Sequence, residues 1–185
     1  MTGRPLGPTD LKRLHRGWRR RTAGRLSLIL DNVMTPVNVG SITRLAAAYG
    51  VDRMWLAGAT PSIGHPGAQK TALHTERFVA LESAATGVDA VVAAKEEGYQ
   101  IVAIELTEGA VALFEATLRP DVCLVVGHED HGVSTPVLAI CDVVAYLPLV
   151  GKVASLNVAT AAGIALAEVR RQEWTTGPGS EPAAT

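Results

Sequence analysis

Val122-Cys123-Leu124-Val125-Val126-Gly127-His128-Glu129-Asp130-His131-Gly132 places an apolar run directly before a short polar turn bracketed by glycines. A run with no polar interruption suits a strand covered on both faces, as strands of parallel sheets are. In open α/β sheets ligands bind beyond the carboxyl ends of the strands, and glycine lets backbone approach a ligand closely. The stretch reads as a central strand delivering a binding turn, although an ordinary strand-to-helix turn would have the same composition.

Outward from that strand, strand and helix signals alternate. Leu26 to Leu30 is expected as the first strand, and Pro36 breaks the chain after it. Val39, Ile42, Leu45, Ala46 and Tyr49 then recur at helical spacing up to a stop at Gly50. Arg53 to Ala57 is the next strand, followed by a loop from Gly58 to about Thr71, a short strand around Phe78 to Leu81, a helix near Gly87 to Glu97 and a strand from Gln100 to Glu105. Beyond the quoted stretch, Pro136 to Ile140 reads as a short helix and Val143 to Leu147 as the last strand. Ser155 is expected to open a helix to about Arg171, apolar and small nearly all round, which must be buried on more than one side, inside the domain or against a second subunit. This order predicts an α/β fold with a mainly parallel sheet and helices on both faces. Residues 174–185, rich in Gly, Pro, Ser, Thr and Ala, are expected to be a disordered tail.

The chain has 185 residues, 48% apolar and 19% charged, the balance of one globular domain. No stretch approaches the ~18 uninterrupted apolar residues of a membrane span, and the N-terminus has no secretion signal, so the expected location is cytoplasmic with no membrane partner. Cys123 and Cys141 lie in apolar segments and read as buried thiols. The net charge of −1 conceals a division: residues 1–25 carry eight Lys/Arg and one acid, whereas residues 26–185 carry nine and seventeen. Lys12, Arg13, Arg16, Arg19, Arg20, Arg21 and Arg25 supply most of the basic charge, with Trp18 among them. A dense cationic segment binds a polyanion through counterion release, and an interleaved indole can stack on a base, so residues 1–25 are expected to be a helical extension that contacts nucleic acid. A solvated helix kept soluble by its arginines is the bland alternative.

Two further segments carry chemistry. Asn38-Val39-Gly40-Ser41-Ile42-Thr43-Arg44 places a cation among small residues, where a phosphate can come close, although a capping Asn and an exposed helical Arg would also explain it. Leu147-Pro148-Leu149, then Gly151, then Ser155-Leu156-Asn157-Val158 joins a strand end to a helix start, where hydroxyl and amide groups cap or orient a substrate. Gly64 to Thr71 nearly spells a phosphate-binding loop, but Gln69 replaces the glycine required before Lys70; the stretch is expected to border the substrate site, with Lys70 either in reach of a nucleic acid or an ordinary surface lysine. His128 and His131 lack the spacing that aligns two imidazoles on one helical face, and no metal is expected. No Gly-x-Gly-x-x-Gly follows the first strand, which argues against a dinucleotide enzyme.

Taken in order, Asn38…Arg44, Gly127-x-Glu129-x-x-Gly132 and Leu147-Pro-Leu…Ser155-Leu-Asn157-Val resemble the three motifs of the SpoU/TrmH family of the SPOUT superfamily, over about residues 26–171. The resemblance implies an S-adenosyl-L-methionine (AdoMet)-dependent RNA ribose 2'-O-methyltransferase domain over residues 26–173, a C-terminal deep trefoil knot and a homodimer whose subunits together close the site. It carries over Asn38, Arg44, Glu129, Ser155 and Asn157 as catalytic residues, with Arg44 central, and Ile104, Gly127, Leu147, Leu149, Ser155 and Leu156 around the cofactor. A guanidinium is an unusual base, because its pKa lies above ~12. Arg44 acting as base with help from an RNA phosphate and Arg44 only positioning that phosphate are both open at this point. About 25 residues precede the first strand, too few for a separate RNA-binding domain, which favours tRNA; ribosomal RNA and a catalytically silent knotted RNA-binding protein are the alternatives.

Overall fold

A computed structural model describes residues 3–176. Its elements in chain order are α1 (Pro8–Arg20), β1 (Leu26–Asp31), α2 (Pro36–Tyr49), β2 (Arg53–Ala57), α3 (Pro66–Ala72), a 3-10 turn (Thr75–Phe78), β3 (Ala80–Ala84), α4 (Gly87–Glu96), β4 (Gln100–Ile104), β5 (Val111–Ala112), β6 (Val122–Gly127), α5 (Thr135–Leu138), β7 (Val143–Tyr146) and α6 (Val158–Thr176). The strands form one seven-stranded sheet in the order β3-β2-β1-β6-β4-β7-β5, and each pairing is parallel.

Every residue of β1 and β6 is buried, as a strand covered on both faces requires. Alternation divides the core. Leu28 and Leu30 of β1 and Leu124 and Val126 of β6 join Ile42 and Ala46 of α2 and Ala162 and Leu166 of α6. Ile29, Cys123 and Val125 point the other way, to Ala90, Val91 and Ala94 of α4. The aliphatic interior raises the pKa of both thiols by burial, that of Cys141 to about 11.

Several boundaries differ from the expectations. The loop expected from Gly58 to Thr71 contains α3, which starts at Pro66 with the His65 imidazole accepting from the Gly67 N–H at 3.1 Å. Seven residues are too few for periodicity to register. The strand expected over Phe78 to Leu81 is Ala80–Ala84 instead, because Thr75–Phe78 winds into a 3-10 turn. The two-residue β5 carries no pattern of its own. Helix α6 begins at Val158, not Ser155, because the side chain of Asn157 is the cap: its Oδ1 accepts from the N–H groups of Ala159 at 2.9 Å and Thr160 at 3.3 Å. It also runs past Arg171 to Thr176, which corrects the expectation of a disordered tail from residue 174; residues 177–185 lie outside the described residues.

That extension has a polar cause. Arg170 is only 3% exposed, and its guanidinium donates to the carbonyls of Tyr49, Gly24 and Gly50 and to Glu173 Oε2, at 2.7–3.0 Å. One buried cation thus ties α6 to the end of α2 and to the entry of β1. Arg170→Ala strips four acceptors at once and is expected to cost about 3–5 kcal/mol. Urea unfolding checks this, and an unchanged midpoint would contradict it.

Candidate active site

Three segments leave the carboxyl ends of β1, β6 and β7 and meet. The turn after β6 is closed by reciprocal bonds between His128 and Gly132, N–H to carbonyl, at 2.9 and 2.8 Å. Gly132 has φ +68°, in the left-handed region, and a Cβ there would overlap the Glu105 carboxylate. A Cβ on Gly127 would overlap the Gly132 backbone. Glu105, just past β4, accepts from the Val133 N–H at 2.9 Å, and buried Asp31 at the end of β1 accepts from the Ser134 N–H at 2.9 Å. Neither acid stands out in the sequence, since a lone carboxylate at a strand end looks like any loop residue.

Glu129 joins the segments. Its Oε2 accepts from the Met34 N–H at 3.0 Å, and its Oε1 accepts from the Thr35 N–H at 3.0 Å and from Asn38 Nδ2 at 2.8 Å. The Oδ1 of Asn38 accepts in turn from Asn157 Nδ2 at 3.0 Å, and Asn157 caps α6. Asn38, Glu129 and Asn157, each from a different motif, therefore form one chain of hydrogen bonds. Burial alone would raise the pKa of Glu129, but the hydrogen bonds from Asn38, Met34 and Thr35 outweigh it and hold the carboxyl down at about 2.

This chain separates two spaces. On one side is a cavity of about 470 Å³ whose wall includes Ile104, Gly127, Leu147, Leu149, Ser155 and Leu156, with Glu105, His128 and Glu129 at its polar edge. All six residues anticipated around the cofactor thus share one cavity. Ser155 is exposed in its wall and does not cap α6. On the other side is a groove of about 890 Å³ between α2 and α6, where Asn38, Arg44, Lys70 and Asn157 converge. Arg44 and Lys70 are exposed, and neither makes a hydrogen bond or ion pair with any described residue.

The basic extension is sorted by the structure. Lys12, Arg13, Arg16, Arg19 and Arg20 are exposed on α1 without a side-chain partner among the described residues. Arg21 is engaged instead, lying 4.6 Å over the Trp18 ring, and Arg25 forms a two-pronged pair with Asp121. Trp18 is not a free stacking platform: its ring packs on Trp174 with centroids 4.6 Å apart. The sequence hides this because the two residues lie at opposite ends of the chain. His128 and His131 stack on each other at 4.6 Å, and no group of three or more His, Cys, Asp and Glu able to hold a metal occurs among the described residues.

The depressed pKa of Glu129 stabilises the fold above its ordinary value of 4.5, and this contribution is lost as pH falls toward about 2. Glu129→Gln faces an amide NH₂ toward at least one of the converging donors, and is expected to cost about 1.5–3 kcal/mol at neutral pH. The gap to wild type should shrink by about half or more on going to pH 3. Equal gaps in unfolding free energy at pH 7 and pH 3 would contradict this account of the carboxylate.

The model of the SpoU rRNA Methylase family matches residues 25–167. The chain is 30% identical over 175 residues to the tRNA (guanosine(18)-2'-O)-methyltransferase of Escherichia coli K12, covering 93% of this chain and 74% of that one. It is 34% identical over 164 residues to a 23S rRNA (guanosine-2'-O-)-methyltransferase of Coxiella burnetii, covering 86% and 64%. Among solved structures it is similar to the SpoU methyltransferase AviRb of Streptomyces viridochromogenes in complex with AdoMet, with a TM-score of 0.74 at 25% identity over 85% of this chain and 64% of that one. It spans from 54% to 80% of the length of several curated relatives. With the motif residues gathered at the ends of β1, β6 and β7, this match places the chain in the SpoU methylase family.

Proposed function

We propose that this chain transfers a methyl group from AdoMet to a ribose 2'-hydroxyl of RNA, with tRNA as the favoured substrate. The observation that carries this is the partition: a largely aliphatic cavity and a groove bearing two cations without a partner among the described residues meet across the Glu129–Asn38–Asn157 chain. The cavity fits AdoMet in kind. Aliphatic side chains and glycine-rich backbone suit an adenosine, and the carboxylates of Glu105 and Glu129 at its edge suit the cationic end of the molecule. Ile104, Gly127, Leu147, Leu149, Ser155 and Leu156 would hold it. When bound, AdoMet supplies a methyl group already activated by its sulfonium, so the work left to the protein is orientation and removal of one proton.

Arg44 is the residue on the RNA side. It positions the phosphate beside the reacting ribose, and the hydroxyl proton passes to water or a neighbouring group. Lys70 adds a second phosphate contact, and the cations of α1 hold a more distant part of the RNA. Alignment with a tRNA enzyme over 93% of this chain is in keeping with tRNA, and alignment with a 23S rRNA enzyme over 86% keeps ribosomal RNA as the second reading. We also place the protein in the cytosol; no described helix is long and apolar enough to cross a membrane.

The segments that follow β6 and β7 are proposed to form the family's trefoil knot. The insertion of β6 between β1 and β4, and of β4 between β6 and β7, supports this threading. A second copy of the chain is proposed to close the groove. Ile164, 44% exposed, and Leu73, 55% exposed, line it together with Gly163, Ala167 and Leu45, a patch of the kind that subunit interfaces cover. Sedimentation at micromolar concentration should show a dimer for wild type and a monomer for Ile164→Asp; a wild-type monomer would contradict the pairing.

Arg44→Ala is expected to lower kcat by at least about 100-fold while AdoMet affinity and unfolding free energy stay at wild-type values, and Arg44→Lys should lose most activity because a point charge cannot replace a planar fork. Methyl transfer to an unmodified tRNA transcript measures both. Wild-type turnover in either variant would remove Arg44 from the mechanism, and AdoMet binding without transfer to any RNA would favour a silent binding protein.

A further inference from the structure

Helix α1 buries none of its residues. Lys12, Arg16 and Arg20 occupy one side at helical spacing, and Leu11, Leu14 and Trp18 the opposite side. What fastens it is the last part of α6. Trp18 packs on Trp174. Trp174 Nε1 donates to Thr22 Oγ1 at 2.9 Å, and Arg21 donates to the Trp174 carbonyl at 3.4 Å. Glu173 Oε1 accepts from the N–H groups of Ala23 and Gly24 at 2.6 and 2.7 Å. These contacts hold residues 21–24, the link between α1 and β1, from a helix about 150 residues away in sequence.

The geometry of this clasp has a direction. Trp18 lies on the apolar side of α1, so fastening that side to α6 leaves Lys12, Arg16 and Arg20 exposed on the opposite side, with Arg19 at the border between the two. A cleft of about 670 Å³, lined in part by Arg19, Trp18 and Tyr49, remains between α1 and the end of α2. Without the clasp, α1 would swing about residues 21–25, and ordering it on an RNA would add a conformational cost to binding. A highly charged helix of 13 residues is also marginal when it stands alone.

We infer that Trp174 and Glu173 are positioning residues for RNA: they preorganise α1 so that its cationic face meets the substrate at a set direction from the Arg44 groove. The inference rests on the reading of this chain as an RNA methyltransferase. Neither residue touches the cavity or the groove, so their effect should appear in RNA affinity and not in the transfer step.

The test compares wild type, Trp174→Ala and Trp174→Phe, each in the full chain with and without the triple change Arg16→Ala, Arg19→Ala and Arg20→Ala. Affinity for a fluorescent tRNA transcript, affinity for AdoMet, and kcat at saturating RNA are measured. Trp174→Ala is expected to weaken RNA binding about tenfold with AdoMet affinity and kcat unchanged, and Trp174→Phe, which keeps the ring packing, to stay within about threefold of wild type. In the triple background Trp174→Ala should add less than about twofold, because the clasp acts through those cations. Unchanged RNA affinity in Trp174→Ala, an equal loss in both backgrounds, or a parallel loss of AdoMet affinity would overturn the proposal. Wild type binding no RNA would overturn it together with the functional reading. Tight RNA binding without methyl transfer would overturn only the functional reading and leave the affinity ratios to decide the clasp.

Discussion

The Glu129 carboxylate is the point on which the site depends. It receives three donors that come from the loop after β1 and from the first turn of α2, and it stands on the turn that leaves β6. A carboxylate in this setting forms strong charge-assisted bonds, and the alternative of leaving those donors unpaired is costly. Through Asn38 the same chain reaches Asn157 and the start of α6. One side chain thus sets the relative placement of all three motifs, and with it the wall between the cavity and the groove.

The glycines serve the same placement from the backbone side. Gly127 and Gly132 let the turn after β6 fold back on itself, where any side chain would collide with backbone or with Glu105. Gly40 does the equivalent on α2, where a Cβ would overlap the carbonyl of Ala68 on α3. Close approach at these points brings Arg44 and Lys70, from different helices, to one groove. Neither finds a counter-charge among the described residues, whereas the Arg170 guanidinium is occupied by three carbonyls and Glu173. That contrast separates cations available to a polyanion from cations that hold the protein together.

Much of this was readable from the residues. The apolar runs of β1 and β6 announce buried strands because parallel sheets are covered on both faces, and Gly127, Glu129 and Gly132 mark the turn because few other residues tolerate it. Less visible were features made by tertiary contact. Asp31 and Glu105 gain their roles only from the N–H groups that reach them. Helix α3 is too short for a periodic signal, and the start of α6 was misplaced because Ser155 and Asn157 are equally good caps on paper. The partnership of Trp18 with Trp174 spans nearly the whole chain, so composition placed one in a nucleic-acid surface and the other in a tail, and only the fold brings them together.

The central claim is that the groove presents a ribose to the cavity across the Glu129 partition. It is tested most directly by incubating the protein with methyl-labelled AdoMet and an unmodified tRNA transcript, digesting the RNA to nucleosides and identifying where the label resides. The account predicts label on a 2'-O-methylated ribose at one position. Label on a base, or an unlabelled digest from tRNA and ribosomal RNA alike, would contradict it.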